Sequence, residues 1–165
     1  SQYIPAAPWA GTEPSRRPLR RNNIISVVWA FASRQVLSQA GGLCAYCRSA
    51  EALLGVTFEI DHIVPLSTGG GTSADNLCLS CPTCNRQKGI RQTALDPLSG
   101  EERLSSIHKF KLGATTHMGE DGAALIGLTP AGRATVALLR MNRPVLVQMR
   151  RYWIALGLLL LISCW

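Results

Sequence analysis

Two cysteine pairs, CAYC at Cys44 and Cys47 and CPTC at Cys81 and Cys84, restrict what this chain can fold into more than any other feature. A C-x-x-C gap lets two neighbouring thiolates face one ion, so two such pairs suit a tetrahedral zinc site. A disulfide framework is the alternative for cysteines in this number. Free thiolates for zinc go with a reducing compartment, and a cytoplasmic protein is the reading taken here. One zinc would tie the 33 intervening residues into a closed loop. Simple zinc ribbons need about 15 to 20 residues there, so the excess has to hold structure of its own.

That structure is legible as strand, loop, strand, helix. The β-branched and aromatic stretch at 56–64 reads as a strand, and NLCLSC, 76–81, reads as a second. Between them runs the glycine-rich PLSTGGGTSAD. Pro82 suits the first turn of a short helix reaching Lys88, with Gly89 as its stop. Cys78 complicates the metal reading, because CLSC, 78–81, is also a C-x-x-C; ligation by Cys78 and Cys81 would leave Cys84 free. Asp61 and His62 close the first strand side by side. A histidine with a pKa near ~6.5 is largely neutral at cellular pH and can accept a proton, and a carboxylate is a hard oxygen ligand. Strand alternation would point the two to opposite faces, so a bend is expected there.

In order along the chain, CAYC, DHIVPLSTGG, DNL and CPTCNRQKG resemble the HNH nuclease family, in its four-cysteine subclass with the ββα-metal (His-Me finger) fold, over residues 42–91. GLTPAGRATVALLRMNRP, 127–144, resembles a tail of short stand-alone bacterial members, and YIPAA, 3–7, resembles their opening. The resemblance implies an α+β core stapled by structural zinc on Cys44, Cys47, Cys81 and Cys84, with Cys78 left as a strand residue. It implies His62 as general base, Asn76 holding the histidine's loop through its backbone, and Asp61 with Asn85 as ligands of a catalytic divalent cation. Asn85 stands where many members carry histidine, as in an HNN variant; oxygen donors favour magnesium or manganese. His108 and His117 are reserve candidates for the second ligand. Arg86, Lys88 and Arg91 could contact phosphates beside the cut or form a solvated basic face. The implied activity is endonucleolytic hydrolysis of DNA, double-stranded by expectation, leaving 5′-phosphate and 3′-hydroxyl ends. The stretches 7–33 and 107–119 depart from the family pattern. The alternative is a non-catalytic zinc-ribbon module that binds nucleic acid, or an inactive relative.

The remaining chain divides around this core. A formal charge of +7 and a pI near 9.5 point to polyanions as partners. Residues 1–41 carry +4, 42–121 carry −2 and 122–165 carry +5, so the flanks supply the basic excess. The expected organisation is a basic arm and lead-in helix at 1–41, the nuclease core at 42–95, and a C-terminal extension at 96–165 with a hairpin and then helices. The arm is Pro- and Arg-rich at 8–23. The apolar run IISVVWAFA, 24–32, has the outline of a secretory signal but is read as a buried helix continuing to the glycines at 41 and 42. DPLSGEE, 96–102, is turn chemistry, and 119–128 suggests a hairpin. Thr129 and Pro130 open a helix to about Met141, and another begins near Pro144. The tail 152–165 is uncharged over 14 residues, short of the roughly 20 a membrane span needs, and Cys164 is read as one of its apolar residues. No motif calls for a small-molecule cofactor, and oligomeric state has no sequence signal.

Overall fold

The structure, a computed structural model, describes residues 21–104 and 116–158. The opening at 3–7, the arm up to residue 20, the stretch holding His108 and the tail beyond 158 with Cys164 lie outside the described residues. The fold is α+β: helices packed with two-stranded antiparallel sheets. No helix of the described residues is long and apolar enough to cross a membrane.

Helix α1, Arg21–Ala40, ends where Gly41 and Gly42 take positive φ, as the glycine pair predicts. It lies on strand β2 and buries Ala32 and Val36 there. Its other apolar residues include Val27, Val28 and Leu37, which are exposed, and Phe31, which is 72% exposed. The expected buried helix is therefore covered on one side only, because the apolar residues at 24–32 run around the helix rather than along one stripe.

The core of the fold is local. A single turn, α2 at Glu51–Leu54, fastens to the next segment where the Phe58 N–H donates to the Glu51 carboxylate at 2.7 Å. Strand β1, Glu59–His62, pairs antiparallel with β2, Leu77–Ser80, placing Asp61 opposite Cys78 and His62 opposite Leu77. Helix α3, Pro82–Lys88, follows at once, its first turn capped by Cys81 and opened by Pro82. The order β1, β2, α3 is the expected ββα unit. The strand is shorter than 56–64, and the expected bend between Asp61 and His62 is absent: β1 keeps its register through His62.

Beyond the unit, β3 (Thr93–Leu95) and β4 (Glu102–Leu104) form a hairpin across the turn at 96–101. A second hairpin joins β5 (Thr116–Met118) and β6 (Leu125–Gly127). Helix α4, Pro130–Leu138, is capped by the Thr129 hydroxyl, which accepts the Gly132 N–H at 3.0 Å. It sits against β6 at Gly127, where a Cβ would come within 2.3 Å of the Arg133 nitrogen, so only glycine admits that approach. Helix α5, Pro144–Ala155, begins at Pro144 as expected. Its Leu146 and Trp153, with Leu139 and Met141, join one buried cluster that also contains Cys44, Cys47, Cys81 and Cys84. The C-terminal elements thus share one buried core with the ββα unit.

Candidate metal centre and active site

The first cysteine pair sits in a tight turn in which the Cys44 N–H donates to the Ser49 carbonyl and the Arg48 N–H returns to the Cys44 carbonyl. Arg48 has φ 59° and completes the reversal. The second pair opens α3. These two turns bring the four sulfurs of Cys44, Cys47, Cys81 and Cys84 within 4.8 Å of one another, all buried. Backbone N–H groups point at them: Cys81 N–H to the Cys44 sulfur at 3.3 Å, and Cys84 N–H to the Cys81 sulfur at 3.4 Å. Hydrogen bonds from Cys44 and Cys84 draw the Cys81 thiol below the ordinary range, and bonds from its three cysteine neighbours draw Cys47 down further. Burial pushes Cys44 up, and the surrounding cysteines push Cys84 up. Four buried soft donors gathered this closely fit a tetrahedral metal such as zinc in geometry and in donor chemistry.

Cys78 is buried outside this cluster, as its strand reading requires. Its thiol donates to the Tyr46 hydroxyl at 3.2 Å, and that hydroxyl donates to Asp61 Oδ2 at 2.5 Å. Burial, with Cys78 and Asp61 nearby, pushes the Tyr46 hydroxyl well above its usual range, so it remains a donor.

Asp61 and His62 occupy opposite faces of β1. Asp61 points inward to Lys88, whose ammonium stands 3.0 Å from Oδ2 and 3.2 Å from Oδ1. Lys88 also donates to the His62 carbonyl at 2.6 Å. Its side chain has no exposed surface, which removes Lys88 from the phosphate-contacting set expected from the sequence and makes it the ion partner of Asp61. The signal that could have suggested this is spacing: position 88 lies one helical turn beyond Asn85, on the side of α3 that meets β1.

His62 points outward and is half-buried. Its Nε2 lies 3.2 Å from the Thr72 hydroxyl, and its ring stacks on the indole of Trp29, centroids 5.5 Å apart and planes at 28°. Burial, reinforced by the Lys88 charge, lowers its pKa from the usual value against the opposing pull of Asp61, which keeps the ring neutral. Asn76 latches the loop that follows: its side chain accepts the Val64 N–H at 2.8 Å and donates to the Val64 and Gly71 carbonyls at 2.9 and 2.8 Å. Asn85 reaches the same face of β1 as Asp61 but bonds Glu59, its amide donating to Oε2 at 2.5 Å. Arg86 and Arg91 are exposed, with Arg91 donating to the Gln87 carbonyl. His117 lies in the separate β5–β6 hairpin. Trp29, Thr72, Tyr46 and Glu59 are site residues that sequence reasoning misses; only Glu59, two residues before Asp61 on one strand face, has a pattern that could have marked it.

Comparison with known proteins points to the same part of the chain. Residues 44–91 match the family described as HNH endonuclease. A type IV methyl-directed restriction enzyme, EcoKMcrA, from Escherichia coli (strain K12) is 31% identical over 81 residues, which covers 46% of this chain and 29% of that enzyme. The chain therefore spans less than a third of the length of that relative. Both similarities support a nuclease function in general terms.

Proposed function

From the HNH domain at residues 44–91 we infer that this chain is an endonuclease that hydrolyses DNA phosphodiester bonds, with His62 as the general base. The observation that carries the reading is the environment of His62: neutral by burial, part-exposed, and clamped between Thr72 and Trp29. In the tautomer whose Nε2–H donates to the Thr72 hydroxyl, Nδ1 is the nitrogen that takes a proton from the attacking water. Lys88 fixes the backbone of His62 and Asn76 fixes the loop after it, so the ring meets the phosphate without reorganising. Arg86 and Arg91 are the proposed phosphate contacts. Residues 42–95 are the proposed core, with 1–41 and 96–165 as its extensions.

Two metal roles belong to this reading. Cys44, Cys47, Cys81 and Cys84 would hold zinc, which supplies folding energy by closing the loop between the two cysteine turns. For a second, hard cation the fit is incomplete. Asp61 and Asn85 are its proposed ligands, but the Asp61 carboxylate is already shared by Lys88 and Tyr46, so magnesium or manganese there requires Lys88 to give up its ion pair. Glu59, beside Asn85, adds a carboxylate on the exposed side.

The test is a plasmid-nicking assay across a divalent-metal series, with methylated and unmethylated DNA because the similar restriction enzyme is methyl-directed. His62→Ala should bind DNA as wild type does and cleave about 10² to 10⁴ times more slowly. Equal cleavage by the variant removes His62 from the chemistry. The ion pair that occupies Asp61 favours one alternative, nucleic-acid binding without cleavage, and wild type that binds DNA but fails to nick it with every metal of the series would establish it.

A further inference from the structure

Arg150 lies in the middle of α5 and is 2% exposed. Its Nη1 donates to the carbonyls of Ala123 and Met141, each at 3.0 Å. Its Nη2 is buried and has no hydrogen-bond partner among the described residues. No carboxylate pairs with it among those residues, and 122–165 contains no acidic residue at all. A guanidinium cannot shed its proton to escape burial, as a lysine can. An isolated buried charge is among the costliest things a fold can contain, so a source of negative potential has to lie close by.

The packing identifies that source. Leu146 and Trp153, one turn to either side of Arg150 on α5, share a buried cluster with all four cysteines of the metal centre. Burial lowers the Arg150 guanidinium from its usual range, with Arg143 adding to that, while Cys47 and Cys84 pull the other way. Four thiolates around a dication carry a net charge of two negative, a field that acts on a guanidinium buried nearby without a direct hydrogen bond.

We propose that Arg150 is the charge partner of the four-cysteine metal centre, fastening the C-terminal helix to the HNH domain by attraction between a buried guanidinium and a metal–thiolate cluster. The proposal rests on the metal reading above and not on catalysis. It is reciprocal: the loaded centre holds α5 in place, and α5 raises the affinity of the centre for its metal. A segment that follows the HNH domain in sequence thereby becomes part of the metal site. No cysteine-spacing pattern could have shown this.

The experiment uses the full chain and reads zinc release to a chromophoric chelator. Arg150→Lys keeps the charge, Arg150→Gln keeps polarity alone, and Leu146→Ala loosens the same helix without touching charge. Arg150→Gln should release zinc about 10- to 100-fold more readily than wild type, with Arg150→Lys between them and Leu146→Ala close to wild type. In cobalt-loaded Arg150→Gln, the thiolate-to-cobalt absorption should keep its tetrahedral signature, showing four intact ligands. Identical release by the Lys and Gln variants, or a loss in Leu146→Ala as large as in Arg150→Gln, overturns the proposal. Wild type that holds no zinc removes the anion, and the metal reading falls with it. Wild type that holds one zinc while the variants match it leaves the metal reading standing and removes only Arg150.

Discussion

A lysine ammonium taken out of water has to find a carboxylate and carbonyls around it, and Lys88 finds Asp61 and the His62 backbone. That single side chain neutralises one motif residue and anchors the next. Breaking such a pair on one side leaves the partner charge buried, at a cost of about 3 to 5 kcal/mol. Lys88→Met should therefore lower the urea unfolding midpoint steeply, and adding Asp61→Leu should recover part of the loss. A Lys88→Met protein as stable as wild type would show that the pair contributes nothing to the fold. The site is readable in sequence where its chemistry is local. The x-x gaps put Cys44 beside Cys47 and Cys81 beside Cys84, and the four meet as expected. His62 is identifiable, but its clamp is not, because Trp29 arrives on a helix distant in sequence and Thr72 from the far side of a glycine-rich loop. Lys88 misleads because a lysine in a basic helix looks like surface until the strand beneath it is placed.

Between elements, the tie with the most chemistry is the one from the β3–β4 turn to α4. Asp96 is fully buried and takes both arms of Arg133, Nε at 2.8 Å and Nη2 at 2.6 Å, while Leu98 N–H and the Ser99 hydroxyl bond the same carboxylate. The Arg133 fork holds the Asp96 carboxyl well below the usual carboxylate range. A depressed folded-state pKa means that the unfolded chain binds the proton first. The contribution is therefore complete above the unfolded value near ~3.9 and is lost as pH falls through the folded one. Asp96→Asn should be less stable than wild type at pH 7, and the gap between their urea midpoints should narrow at pH 3. A gap of constant size across that range would show that the pair is not linked to protonation. The elements legible in sequence are those with a chemical start or stop, such as Pro82, Thr129 with Pro130, Pro144 and the glycines at 41 and 42. The three-residue strands β3 and β4 carry no alternation long enough to read, and only their turn shows in the sequence. The bend expected in β1 is unnecessary because the two faces do different work, Asp61 holding the core and His62 facing out.

Across the whole molecule, charge and structure are divided unevenly. The acidic residues lie before position 122, and the C-terminal stretch carries five arginines with no acid. Three of those five have their work assigned: Arg150 is buried, Arg133 is on Asp96 and Arg151 is on Asp121. Arg140 and Arg143 have no carboxylate partner among the described residues, and both line a cavity of about 500 Å³ with Asn142, Pro144 and the backbone at Gly127. Cations lining a concave surface suit a phosphate backbone, because a cleft of one sign of charge concentrates its field on the strand that enters it. If DNA runs from the HNH domain across this surface, removing one arginine–phosphate interaction lowers the slope of log affinity against log salt by about 0.9. Arg140→Gln with Arg143→Gln should then weaken DNA binding and reduce the slope by about 2, with no effect on cleavage once the DNA is bound. Arg86→Gln with Arg91→Gln, beside the proposed cut, provides the comparison. A slope that falls only in the second pair confines the DNA path to the HNH domain and leaves the basic C-terminal surface without a role in the grip.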